Sequence, residues 1–139
     1  MGLQDFLELK QEFINASTPE TDELQGHYAV RLVTGFLPGI RFFSHRKFFP
    51  DDVALKRGGY NEFLGRIRIG NFKIEPAKSI LGDGQQVMRV NYNGPGNPFW
   101  LRPLNDELKK VREGYYLGRG IYIVAGRAFN TFYFSLEPE

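Results

Sequence analysis

The sequence predicts a mainly β fold: a small antiparallel β-barrel entered through an N-terminal amphipathic helix, with one further short helix near residues 105–113. Three observations predict it. Aromatic residues reach 15%, led by 13 Phe and 7 Tyr, and aromatic side chains suit the pleated, half-buried surface of a strand. Glycine is abundant, at 16 residues, and supplies turns and bulges. From Gly26 onward, short alternating segments recur between turn signals, the spacing of a barrel or sandwich. A barrel is preferred because the final hairpin is long and aromatic on both faces, and such an edge left open invites aggregation. With 139 residues and 42% hydrophobic side chains, the chain is expected to be a single domain, residues 1–25 forming a helical segment and 26–136 the barrel.

Leu3, Phe6, Leu7, Phe13 and Ile14 recur at helical spacing and predict an amphipathic helix over residues 3–15. Thr18-Pro19-Glu20 reads as a cap followed by a first-turn proline, starting a second helical turn that runs through Leu24 and stops at Gly26. His27 to Thr34 alternates as a strand, and so does Ile40 to Phe49 after the turn-rich Gly35–Gly39. Residues 50–60 form a polar, glycine-rich loop. Phe63 to Glu75 reads as one or two strands broken or bulged at Gly70-Asn71. Gln86 to Tyr92 alternates between the turns Gly82-Asp83-Gly84 and Asn93-Gly94-Pro95-Gly96. Asn105 suits a helix cap, with Asp106 and Glu107 at the positive end, Lys109, Lys110 and Arg112 at the negative end, and Gly114 as the stop. Tyr115–Val124 and Phe129–Leu136 are strands joined by a turn at Ala125-Gly126-Arg127.

Composition narrows the chemistry. The chain has no cysteine, which excludes disulfides, thiolate metal ligands and cysteine nucleophiles. Residues 1–10 carry Asp5 and Glu8 and lack a basic region followed by an apolar run, so a secretory signal is not expected and a cytoplasmic location is. On that expectation the acceptor pattern Asn15-Ala16-Ser17 is accidental. No stretch has the roughly 18 apolar residues of a membrane span. A net charge of +2 is too small to argue for nucleic acid, although Arg41, His45, Arg46 and Lys47 interleave with Phe42, Phe43, Phe48 and Phe49 in a way that would stack single strands. Phosphate-loop, nucleophile-elbow and zinc-helix signatures are absent. His27 and His45 lack a carboxylate at metal-ligand spacing, so neither a metal nor another cofactor is expected.

Two further features have competing readings. Gly118-Arg119-Gly120 lies inside a strand pattern, where the glycines either let the sheet coil beneath a bulky aromatic or let a ligand approach, with Arg119 turned inward to an anion. Asp106 and Glu107 are adjacent, and adjacent residues of a helix do not face each other, which disfavours a paired-carboxylate mechanism.

Leu24-Gln25-Gly26-His27-Tyr28-Ala29-Val30, Thr34-Gly35, Lys47-Phe48, Tyr92, Pro103-Leu104-Asn105-Asp106, Leu117-Gly118 and Phe132-Tyr133-Phe134-Ser135-Leu136 follow one another in an order that resembles the small calycin-like domains, lipocalin relatives with a Gly-x-Trp-x-Gly signature. Here Tyr28 stands for the signature tryptophan and Val30 for its second glycine. The resemblance implies a barrel with a central cavity and carries over no catalytic residue.

Together these readings lead to a non-catalytic binding module that holds a small, largely apolar ligand, with an acidic head group as one option. The expected contacts are Arg31, Phe42, His45, Tyr92, Trp100, Tyr116 and Arg119. Two alternatives remain open: an enzyme of small-molecule metabolism using His45 or Asp106 as acid or base, and a structural or partner-binding protein with a filled barrel, for which a homodimer is one option.

Overall fold

The computed structural model describes residues 3–20, 22–35, 45–50, 59–63 and 67–139. Helix α1 spans Leu3–Asn15 and is followed by eight strands: β1 (Gly26–Gly35), β2 (Arg46–Phe49), β3 (Gly59–Phe63), β4 (Ile67–Lys78), β5 (Gln86–Asn91), β6 (Leu104–Arg112), β7 (Tyr115–Val124) and β8 (Arg127–Pro138). Each strand pairs antiparallel with the next, and β8 returns to β1, closing the barrel. The predicted antiparallel barrel and N-terminal helix are therefore present. Strand expectations over residues 40–44, and the loop over 51–58, lie outside the described residues.

Two predicted helical segments are not helical. Residues 104–112 form the long strand β6 in place of the short helix expected near 105–113. The segment also obeys a period of two: Leu104, Asp106 and Leu108 turn inward, while Asn105, Glu107 and Lys109 turn outward. Pairing on both sides, with β5 and β7, outweighs the weak helical preference of its charged residues. The second helical turn after Thr18 is likewise absent. The Thr18 hydroxyl instead donates to the Gln86 carbonyl (2.7 Å), and the Glu20 amide donates to the Glu23 carboxylate (2.6 Å).

Two apolar layers hold the molecule together. The inner one fills the barrel with Tyr28, Phe49, Phe72, Met88, Val90, Tyr92, Leu108, Tyr116, Phe134 and Leu136 among others. The outer one lies between α1 and the wall, where Phe13 meets Val87, Leu117 and Tyr133. Along β7, Gly118 and Gly120 sit directly beneath the rings of Phe134 and Phe132, which come from the cross-strand positions on β8. A Cβ at either glycine would overlap its ring, so the coiling reading of Gly118-Arg119-Gly120 accounts for both. At Gly70, where a break or bulge was expected, φ is +77° and the β3–β4 register shifts, while β4 continues as one strand.

The two ends of the barrel differ. At one end the segment after α1 forms a plug: Leu24 is fully buried and packs on the inner core. The Tyr116 hydroxyl donates to Glu23 Oε2 (2.6 Å), which also pairs with Lys110 (3.0 Å). Burial alone would raise the Glu23 carboxyl, but the bonds from Tyr116 and Lys110 outweigh it and hold the pKa below its usual value. At the other end, Leu32, Ile69, Ile67, Val124 and Phe129 are all exposed. Register nevertheless puts them on the inner face, opposite Phe134, Asn61, Phe63, Arg127 and Tyr122 respectively. The strands run past the packed core there, and no described residue covers the apolar inner face.

Candidate functional site

Between the plugged and the open end, the inner face carries a charged cluster. Lys47 from β2 alternates with Phe49 and so turns inward beside it. Its ammonium bonds Asn61 Oδ1 (2.7 Å) and the Tyr92 hydroxyl and pairs with Asp106 Oδ2 (3.2 Å), which accounts for its three donors. The rings of Phe72 and Tyr92 lie 5.2 Å from it and that of Phe134 5.6 Å, distances suited to cation–π attraction. The Tyr92 hydroxyl donates to Asp106 Oδ2 (2.9 Å) and accepts from Asn61 Nδ2 (3.1 Å). His45, just before β2, holds Asn61 Oδ1 through Nε2 at 2.9 Å and stacks on Phe63 at 4.3 Å.

The side chains of Lys47 and Asp106 are each only 3% exposed. Burial dominates their acid–base behaviour. It pushes the Lys47 ammonium down and the Asp106 carboxyl up, and their mutual attraction opposes both shifts. The Tyr92 phenol lies well above its usual value, first through burial and then through the Asp106 charge. His45 falls to about 4, because burial and then the Lys47 charge disfavour the imidazolium more than the bond to Asn61 favours it. At neutral pH the imidazole is therefore uncharged and, with Asn61 Oδ1 already serving Lys47, donates from Nε2. One atom of the cluster lacks a partner among the described residues: Asp106 Oδ1 is buried with no hydrogen-bond donor.

The expected site residues do not form one site. His45 and Tyr92 belong to the inner cluster. Tyr116 is also inward, but at the plugged end, where Glu23 holds its hydroxyl. Trp100 is 53% exposed on the β5–β6 connection at the open end. Phe42 lies outside the described residues. Arg31 is exposed and faces outward, opposite Ser135.

Arg119, read as turning inward to an anion, turns outward and is fully buried under α1. It bonds Glu107 Oε1 (2.9 Å), Ser79 Oγ (2.7 Å) and Asp83 Oδ2 (3.0 Å), with Phe13 stacked 4.2 Å from its guanidinium carbon. Its flanking glycines mark the inner face, so the arginine between them must lie on the outer one. Lys47 and Asn61 were not among the expected contacts, and Asp106 was considered only as an acid or base of the enzyme alternative. The signal for Lys47 was its place in alternation with Phe49, and the helix reading of residues 105–113 concealed that of Asp106. Among the described residues, no group of His, Asp or Glu is arranged to hold a metal.

No protein-family description and no curated protein matches this chain. In fold it is similar to a protein from Thermomonospora curvata known from its crystal structure, with a TM-score of 0.65 over 100% of this chain and 88% of that one, at 13% identity. At that identity the likeness shows the fold alone.

Proposed function

We propose that the barrel is a non-catalytic binding module that takes up a small, largely apolar molecule through its open end. One observation carries this reading: Leu32, Ile67, Ile69, Val124 and Phe129 lie on the inner face and yet remain exposed, above a buried polar cluster and opposite a plugged end. An inner apolar surface with a few convergent polar groups beneath it is the usual form of a small-molecule site. The resemblance of the ordered motifs to calycin-like domains supports the same reading.

The cluster favours one kind of polar end over the acidic head group considered from sequence. Its single cation is already matched by Asp106, and its unpartnered atom is an acceptor. A hydroxyl or N–H donor complements that atom, and a carboxylate would meet Asp106 as a like charge.

Native mass spectrometry with decan-1-ol and decanoate tests the proposal. The expected result is a one-to-one adduct with the alcohol, weaker with the acid, and lost when Val124 and Ile69 are both changed to Glu. No adduct with either molecule overturns the binding reading, and preference for decanoate overturns the assignment of its polar end.

A further inference from the structure

We infer that the open end of the barrel is a docking surface for an anionic phospholipid bilayer. The inference goes beyond the ligand reading and does not depend on it, since it rests on what lies outside the rim. Among the described residues, the large apolar side chains that are exposed gather at this end, apart from Leu7 on α1. The outermost are Phe99, 81% exposed, and its neighbour Trp100. Both project from the β5–β6 connection, held by Asn97, whose amide donates to the carbonyls of Asn71 and Tyr92 (2.7 Å each). An exposed Phe-Trp pair on an anchored connection suits the boundary between headgroups and acyl chains, where aromatic side chains concentrate.

Charge selects the kind of surface. The antiparallel, up-and-down order puts the β3–β4, β5–β6 and β7–β8 connections at this one end. Arg68, Arg102 and Arg127 are exposed on or beside them. Among the described residues there, no Asp or Glu is exposed, and Glu62 is buried between Arg46 and Arg68. At the plugged end acidic residues outnumber basic ones among the described residues: Glu20, Asp22, Asp83, Glu113, Glu137 and Glu139 are exposed at or beside it, against the exposed cations Lys78 and Arg112. A chain with a small net charge therefore carries a strong polarity along the barrel axis, which orients the open mouth toward a negative surface. A second copy docked mouth to mouth would cover the apolar surface too, but it would set these arginines against each other, since the exposed carboxylates lie at the far end of the molecule.

Trp100 is the chain's single tryptophan, so it reports on its own environment. The test mixes the protein with vesicles of phosphatidylcholine alone and of phosphatidylcholine with phosphatidylglycerol, and reads Trp100 emission, quenching by brominated acyl chains and flotation. The expected result is a blue shift and quenching with the anionic vesicles, little with the neutral ones, and release on adding salt. Arg102→Gln and Arg127→Gln each lower affinity about fivefold and Phe99→Ser about tenfold, while Lys78→Glu at the plugged end lowers it by less than about twofold. Circular dichroism confirms that each variant is folded.

No shift with either vesicle overturns the inference. So does equal binding to both, or a blue shift that follows protein concentration without vesicles, which assigns the face to a second copy. Capture of decan-1-ol in solution is unaffected by Arg102→Gln, so failure of docking and failure of the ligand reading are separately visible.

Discussion

Removing the cation from the barrel interior is the most informative single perturbation. In Lys47→Met the new side chain fills a similar volume among Phe72, Tyr92 and Phe134, so packing is largely kept. What remains is Asp106, buried, with one oxygen already unpartnered and now without its counter-ion. Breaking a buried pair from one side destabilises by about 3–5 kcal/mol, mostly through the uncompensated charge. Asp106→Asn strands the ammonium and has a loss of the same order.

The double variant Lys47→Met/Asp106→Asn leaves no charge, and the new amide oxygen still accepts from Tyr92. Its loss should be about 1–2 kcal/mol, which requires a coupling of more than about 2 kcal/mol. The sign of the pH dependence is fixed as well. The folded-state pKa of Asp106 already lies above the usual carboxylate value of 3.8, and losing Lys47 raises it further. The folded variant then binds a proton more tightly than the unfolded chain, so its stability is greatest at low pH and falls as pH rises through the folded pKa. Urea unfolding of all four proteins at pH 5 and pH 7.5 measures both quantities. Single losses below about 1 kcal/mol, or losses that simply add, would refute the picture of a desolvated pair.

Three other outcomes are expected. Gly120→Val drives a side chain into the Phe132 ring and should destabilise by about 1–3 kcal/mol or more, with partial recovery in Gly120→Val/Phe132→Ala; urea midpoints that do not recover would mean the strain lies elsewhere. His45 should titrate near 4 in its ring proton resonances, and because its folded pKa is depressed, stability should fall as pH drops from about 6.5 through 4 and stay flat above neutrality; a ring midpoint near 6.5 would contradict its burial against Phe63 and Asn61. Ala125 adopts φ +50° beside Gly126 at +76° in the tight β7–β8 hairpin, so Ala125→Asn should raise thermal stability by about 0.5–1 kcal/mol; an unchanged or lower midpoint would count against strain at that turn.

What could be read from the sequence follows from which forces are local. Turn chemistry at Gly94-Pro95-Gly96 and Ala125-Gly126, alternation in β1, β5 and β7, and the helical spacing of α1 are all short-range, and each of these is present, whereas the cap signal at Thr18-Pro19, equally local, gave no helical turn. The charged stretch Asn105–Arg112 satisfies both a helical dipole pattern and a period of two. The choice is made by β5 and β7, which are distant in sequence. The same ambiguity hid the site. Alternation alone could not tell which face of β7 carried Arg119, and Asp106, considered as an acid or base, was placed at a helix start instead of on the strand β6. His45 and Tyr92 were reached because aromatic and imidazole side chains stand out in a strand. Lys47 was passed over because a lysine in a strand is ordinarily solvated.

The seam where β1 meets β8 joins the first strand of the barrel to the last: Tyr28 pairs with Pro138, and the Glu139 amide donates to the His27 carbonyl. Seven of the strands can be laid down hairpin by hairpin as the chain leaves the ribosome. The cylinder cannot shut until β8 is free, and until then two long edges stand open. Closure of the barrel therefore waits on β8, and a chain that stops short of that strand is left as a sheet with both margins ready to pair with another copy.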